Sequence, residues 1–349
     1  MKKTDLNAFM TYLSSMQRPF PLDTYSDLSP TPLSNPITAK IAKSALVLNL
    51  KHLATAPQTD SKPPLARINA TRVLPGKSER LFIQDLRGFL YEYVGDQWVI
   101  AIDLIREKPQ LIHNPGLATG FGSFAFHPDF QENNLLFTTH TEPAGEVVAD
   151  FRFEDSVKVA LKWVLTEWKI DDPESLPFQT SSRTLLRVDM AAAIHGVQDC
   201  TFNPLAEKGD PDYGMLYLGI GDGGSAGEGH HYITSGIDRI WGSVIRILPT
   251  GRNSRNGAYG VPTDNPYTNI PQACQEIYCR GFRNPNRIAW SANGKMWITD
   301  IGQSNSEEIN LGVAGGDYGW PEREGTFLIR SRGNLDQAYS LPVEGDSRP

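Results

Sequence analysis

Three stretches of this chain hold side chains whose type and spacing could do chemistry. The first is Asp300–Gly325, DIGQSNSEEINLGVAGGDYGWPEREG, where the adjacent carboxylates Glu307 and Glu308 sit among glycines. A hard cation such as calcium takes about six to eight oxygens from carboxylates and backbone carbonyls. Glycines let a backbone turn its carbonyls toward such an ion. Glu307 and Glu308 would bring charge, and carbonyls near Gly302, Gln303 and Tyr318 would complete the shell. A solvated acidic turn is the competing reading. The spacing of an EF-hand loop is absent.

The second stretch is AAIHGVQDCTFNP, which carries His195 ahead of a strand pair ending in GIGDGG. His195 could act as a general base and Asp222 could orient it. It is one of seven histidines, so a purely structural role competes. The third is RGFRNPNR, in which Arg283 and Asn284 lie just before a strand. Arg283 could bind an anion or stabilise developing negative charge. A surface arginine in an Asn-Pro turn is the alternative.

Positioning these residues calls for many strands and turns. The chain has 349 residues, 31 of them glycine and 25 proline, a turn-rich balance that favours an all-β fold. Arg80–Tyr93 reads as a hairpin turning at Asp85 and Gly88. Phe124–Thr141, Cys200–Gly224 and Ile288–Gly302 each read as an aromatic strand, a polar turn and a second strand. Val159–Ile170 supplies another strand, rich in β-branched and aromatic residues. A degenerate repeat of this kind is the signature of β-propeller blades, here with loops inserted between copies. No α/β alternation and no dinucleotide-binding glycine motif is present, which disfavours a nicotinamide-binding fold.

Residues 1–65 have a different texture. Leu6, Phe9, Met10, Leu13 and Met16 fall at helical spacing, and a Pro- and Ser-rich stretch follows. They read as an N-terminal arm and linker, with the propeller over residues 66–349. The net charge of -7 argues against nucleic acid and against an anionic membrane surface. No apolar run approaches the length of a membrane span. Met1-Lys2-Lys3 is followed by Asp5 and Asn7, not by the apolar core of a signal peptide. Cys200, Cys274 and Cys279 include no C-x-x-C pair, so a zinc site is not expected. Cys274 and Cys279 either bridge a short loop or stay reduced.

The pieces GFGSFAFHPDFQENN, LYLGIGDGG after His195, EIYCRGFRNPNRIAW and GQSNSEEINLGVAGGDYGWPEREG, in this order, resemble the soluble quinoprotein glucose/sorbosone dehydrogenase family. The resemblance spans roughly residues 66–330. It implies a six-bladed β-propeller using pyrroloquinoline quinone and calcium to oxidise the anomeric hydroxyl of an aldose, with an external electron acceptor. It implies His195 as general base, Asp222 as its orienting acid, and Arg283 and Asn284 on quinone and substrate. It implies calcium on Gly302, Gln303, Glu307, Glu308 and Tyr318, and a periplasmic or extracellular location.

The chain departs from the family where Ile194 replaces an acid and Ala118 a glutamine. It also stops soon after the acidic loop, where family members add further strands, so the propeller is expected to be incomplete at its C-terminal end. Two other readings stay open. One is a non-catalytic, calcium-stabilised binding propeller with a degenerate site. The other is a calcium-dependent lactone hydrolase, which needs acids converging on a central metal.

Overall fold

The computed structural model describes residues 31–35, 42–114, 116, 118–329 and 334–340. The helix expected around Leu6–Met16 lies outside them. No strand occurs between residues 42 and 65, and the first among the described residues begins at Ile68.

Each described sheet is built from strands consecutive in the chain, joined as antiparallel neighbours. The first contains β1 (Ile68–Leu74), β2 (Lys77–Asp85), β3 (Phe89–Val94) and β4 (Gln97–Asp103). The second contains β5 (Phe121–Phe126), β6 (Leu135–Pro143), β7 (Leu161–Ile170) and β8 (Thr180–Met190). The third contains β9 (Asp199–Phe202), β10 (Leu216–Ile220), β11 (Ser243–Ile247) and β12 (Ile277–Arg280). Next come β13 (Pro285–Trp290), β14 (Met296–Asp300) and β15 (Glu308–Gly312). The last described sheet is β16 (Arg323–Glu324), β17 (Phe327–Ile329) and β18 (Ala338–Tyr339). Neighbouring strands run antiparallel throughout. The expected hairpins and the strand over Val159–Ile170 are all present.

The first strand of one sheet touches the first strand of the next: β1 meets β5, β5 meets β9 and β9 meets β13. That is the arrangement of propeller blades around an axis, and the fold is an all-β propeller. Apolar clusters fill the space between successive sheets. Phe82, Phe124, Phe126, Trp168 and Phe178 lie between the first two. Trp163, Leu186, Cys200, Leu218 and Ile245 lie between the second and third. Tyr217, Val244, Cys279, Phe282 and Ile298 lie between the third and fourth. Burying each large apolar side chain contributes about 1.5–3 kcal/mol, so this inter-sheet packing is the main stabilising term.

The inner strands are also tied by polar side chains. Asp199 on β9 accepts from Arg72 on β1 at 2.9 Å, from Ser123 on β5 at 3.2 Å and from the Ile288 amide on β13 at 2.9 Å. Arg287 on β13 reaches across to Asn69 on β1, donating to its side-chain oxygen at 2.7 Å and its carbonyl at 2.9 Å. Asn69 in turn donates to the Gly122 carbonyl at 2.6 Å. At the other end of the described chain, the Leu33 amide donates to the Ala338 carbonyl at 2.8 Å, so part of the N-terminal arm lies beside β18. All three cysteines are free, and the short-loop bridge is not formed. No helix among the described residues is long and apolar enough to cross a membrane.

Candidate active site

The candidate residues sit on connections that leave the inner strands. His195 precedes β9, and Asp222 follows β10 of the same sheet. Gly196, Gly122 and Gly221 make this possible. A Cβ on Gly196 or Gly122 would overlap the Trp163 indole, and one on Gly221 would overlap the His195 backbone. Three missing side chains therefore let His195 lie down on the core. Its backbone adopts φ 51°, a left-handed conformation that is uncommon for a residue with a side chain.

His195 Nδ1 lies 2.6 Å from Asp222 Oδ1, and the Asp222 carboxylate is 1% exposed. A carboxylate oxygen accepts, so this contact places the hydrogen on Nδ1 and makes Nε2 the accepting nitrogen of the neutral imidazole. Asp222 Oδ1 also accepts from the Gly224 amide at 2.7 Å, and Oδ2 accepts from Trp320 Nε1 at 3.1 Å. The backbone joins this pair to the next sheet, because the Asp222 amide donates to the Arg283 carbonyl at 2.8 Å.

Arg283 and Asn284 turn the chain into β13. Their amides donate to the two oxygens of Asp300, at 3.0 and 2.6 Å, so the end of β14 holds both in place. Burial, helped by the charges on Glu308 and Asp222, pushes the Asp300 carboxyl up to about 7 against the downward pull of the two amides. The Arg283 guanidinium donates from Nε to Gln303 Oε1 and from a terminal nitrogen to the Ile301 carbonyl, both at 3.0 Å. It lies over the Trp320 ring at 5.7 Å. Burial lowers its pKa, opposed by Asp222, Asp300, Glu324 and Glu307. Its hydrogen-bond partners are thus neutral. Asn284 donates to Gln198 Oε1 at 3.3 Å, while its own buried Oδ1 has no partner among the described residues.

The acidic loop is organised by a residue the motif reading passed over. Glu324 on β16 is 2% exposed, and its Oε1 accepts from the amides of Gln303, Ser304, Asn305 and Ser306. Its Oε2 accepts from Asn305 Nδ2 at 2.7 Å. Glu307 is exposed and accepts from the Gly302 amide at 3.3 Å. Glu308 opens β15 and accepts from the Gly325 amide and, at 3.0 Å, from Asn310 Nδ2. Glu307 lies just before the strand and Glu308 is its first residue. The Tyr318 hydroxyl is held by β15, donating to the Leu311 carbonyl, and its ring stacks on Phe282 at 4.5 Å. Among the described residues no three His, Cys, Asp or Glu side chains converge to hold a metal ion, the arrangement a lactone hydrolase would need.

The structure therefore brings His195, Asp222, Arg283 and Asn284 together, with Gln303 touching Arg283 through its side chain. Asp300, Trp320, Gln198 and Glu324 belong to the same constellation and were not singled out from the sequence. The tryptophan of the Tyr-Gly-Trp-Pro run was the available signal. Ala118 is buried, and Ile194 packs over Gly224 beside the pair.

Fold and site together define a β-propeller with a hydrogen-bonded His–Asp pair and a buried guanidinium on connections that leave its inner strands. The family profile described as Glucose / Sorbosone dehydrogenase matches residues 79–328, and the chain belongs to that family. Quinoprotein glucose dehydrogenase B of Acinetobacter calcoaceticus is 26% identical over 242 residues, covering 64% of this chain and 44% of that protein. Hedgehog-interacting protein of Homo sapiens is 23% identical over 215 residues, covering 61% of this chain and 28% of its own length. The PQQ-bound aldose sugar dehydrogenase of Streptomyces coelicolor superposes with a TM-score of 0.56 at 19% identity, over 83% of this chain and 69% of that one. The matches thus span less than half the length of these two curated relatives.

Proposed function

We propose that this chain carries the sugar-oxidising site of a quinoprotein aldose dehydrogenase. The observation that carries the proposal is the His195–Asp222 pair beside a buried guanidinium held by neutral partners only. His195 Nε2 takes the proton of the anomeric hydroxyl as the hydrogen on that carbon departs with its electron pair. Asp222 keeps the imidazole in the required tautomer and stabilises the imidazolium that forms. Pyrroloquinoline quinone, when bound, supplies the two-electron acceptor for that hydride.

The residues present suit such a group, a planar quinone bearing carboxylates. Arg283 is a buried cation whose charge no ion pair among the described residues takes up, and Asn284 has an orphaned acceptor beside it. Arg283 would stabilise negative charge developing in the reaction. Calcium would be held by carbonyls of Gly302, Gln303 and Tyr318 with the carboxylates of Glu307 and Glu308. It would add positive charge on the same side. The sugar, an external electron acceptor and a periplasmic or extracellular location belong to this reading and follow from the family.

Titrating the quinone into the protein, with and without calcium, tests the proposal. Calcium-dependent binding is expected, with a rise in melting temperature. Arg283→Met should weaken it by about 10²-fold or more, because a charge-assisted contact to a carboxylate is lost in a desolvated place. No binding at any calcium concentration would sink the dehydrogenase reading. It would favour the non-catalytic binding propeller, for which Ile194 and Ala118 at family site positions already speak.

A further inference from the structure

We infer that Trp320 is a positioning residue of the acid–base pair, acting on His195 through Asp222. The inference rests on the dehydrogenase reading for its role in turnover, but not for its geometry. Trp320 lies on the connection from β15 to β16, outside the sheet that carries His195 and Asp222. It is 4% exposed and packs with Ala226 and Ile329. Its amide donates to the Gly281 carbonyl at 2.9 Å, which fixes the ring over the site.

The indole does two things at once. Its edge gives Nε1–H to Asp222 Oδ2 at 3.1 Å, and its face lies under the Arg283 guanidinium at 5.7 Å. A phenylalanine could supply the face and the packing. Only the N–H calls for tryptophan, and a buried indole N–H needs a partner. On Asp222, Oδ1 serves His195 and Gly224 while Oδ2 serves Trp320. A donor on the far oxygen draws charge away from the oxygen that faces the imidazole. Removing it concentrates negative charge on Oδ1 and favours the imidazolium, so His195 becomes more basic. The charged partner of His195 is Asp222, and from the neighbouring sheet Arg283 and Asp300 interact electrostatically with Asp222. None of these is altered by a change at Trp320. The same residue is thus shared by the pair that moves the proton and the cation that receives the anion.

The test is Trp320→Phe, with benzothienylalanine in place of Trp320 as a second variant that swaps only N–H for sulfur. The first readout is the titration of the His195 imidazole, followed by NMR in protein without quinone. A net hydrogen bond of about 1 kcal/mol corresponds to a shift of about half to one pH unit, and the expected direction is upward in both variants. The second readout is the acidic limb of kcat/KM in quinone-loaded protein, expected to move the same way. Quinone affinity should stay within about threefold, because the ring face remains. A His195 titration unchanged in both variants would overturn the inference, leaving Trp320 as packing alone. The imidazole readout needs no turnover, so a protein that oxidises no sugar would refute the dehydrogenase reading and still test this one.

Discussion

The His195→Asn variant is expected to bind the quinone as the parent does and to lose turnover, with kcat down by about 10²–10⁴-fold. Asparagine is the right replacement because His195 occupies φ 51°. Asparagine tolerates that conformation better than most residues, whereas alanine would mix backbone strain into the measurement. The amide also reaches Asp222 without offering a basic nitrogen to the sugar hydroxyl. Loss in kcat with quinone affinity unchanged marks an interaction made in the chemical step. A variant with parental kcat would remove His195 from the mechanism and leave the Asp222 contact as a structural bond.

Glu324→Ala should have the largest effect on the folded site. The side chain holds four successive amides, Gln303 to Ser306, and the Asn305 carboxamide. Removing the acceptor leaves those donors to water that reaches them only if the loop opens. A loss of about 2–4 kcal/mol follows, or on the order of 5 °C in melting temperature. The loss then spreads to function. Gln303 is the residue that accepts from Arg283 Nε, so a loosened loop frees the guanidinium from its pose. Quinone affinity should fall together with the protection of amides 303–306 from hydrogen exchange. Fast exchange there with unchanged quinone affinity would uncouple the loop from the guanidinium. Glu324→Gln keeps one carbonyl oxygen and should lie between the two.

Much of the scaffold was legible in the sequence because hairpins are local. Arg80–Tyr93 shows its turn at Asp85 and Gly88, and β2 ends at Asp85 with β3 starting at Phe89. A content of β-branched and aromatic residues marked β7 to within a few residues. His195, Asp222 and Arg283 stood out because each flanks such a strand in a Gly- or Asn-Pro-rich turn. Asp300 and Glu324 did not stand out. Each acts on backbone amides from another segment, and nothing in its own neighbourhood in the sequence says which. Trp320 was visible only as part of a run, since its two functional contacts come from residues far back in the chain. The Glu307–Glu308 pair was legible as adjacent charge, but its backbone partners, the amides of Gly302 and Gly325, come from separate segments that adjacency does not name.

The bond from Arg287 to Asn69 has a consequence for traffic through the molecule. Arg287, Asn69, Asp199 and Arg72 knit the inner strands of the first, third and fourth sheets together, and access to His195 from one side only is the expected result. An enzyme of the proposed kind must admit a sugar, release its oxidised form, and then hand two electrons to a second reagent. Sharing a single doorway, the two reagents take turns. Initial rates measured against both concentrations should then give parallel reciprocal lines, with each reagent inhibiting at high excess by occupying the entrance meant for the other. Intersecting lines would mean that electrons leave by a separate route through the blades.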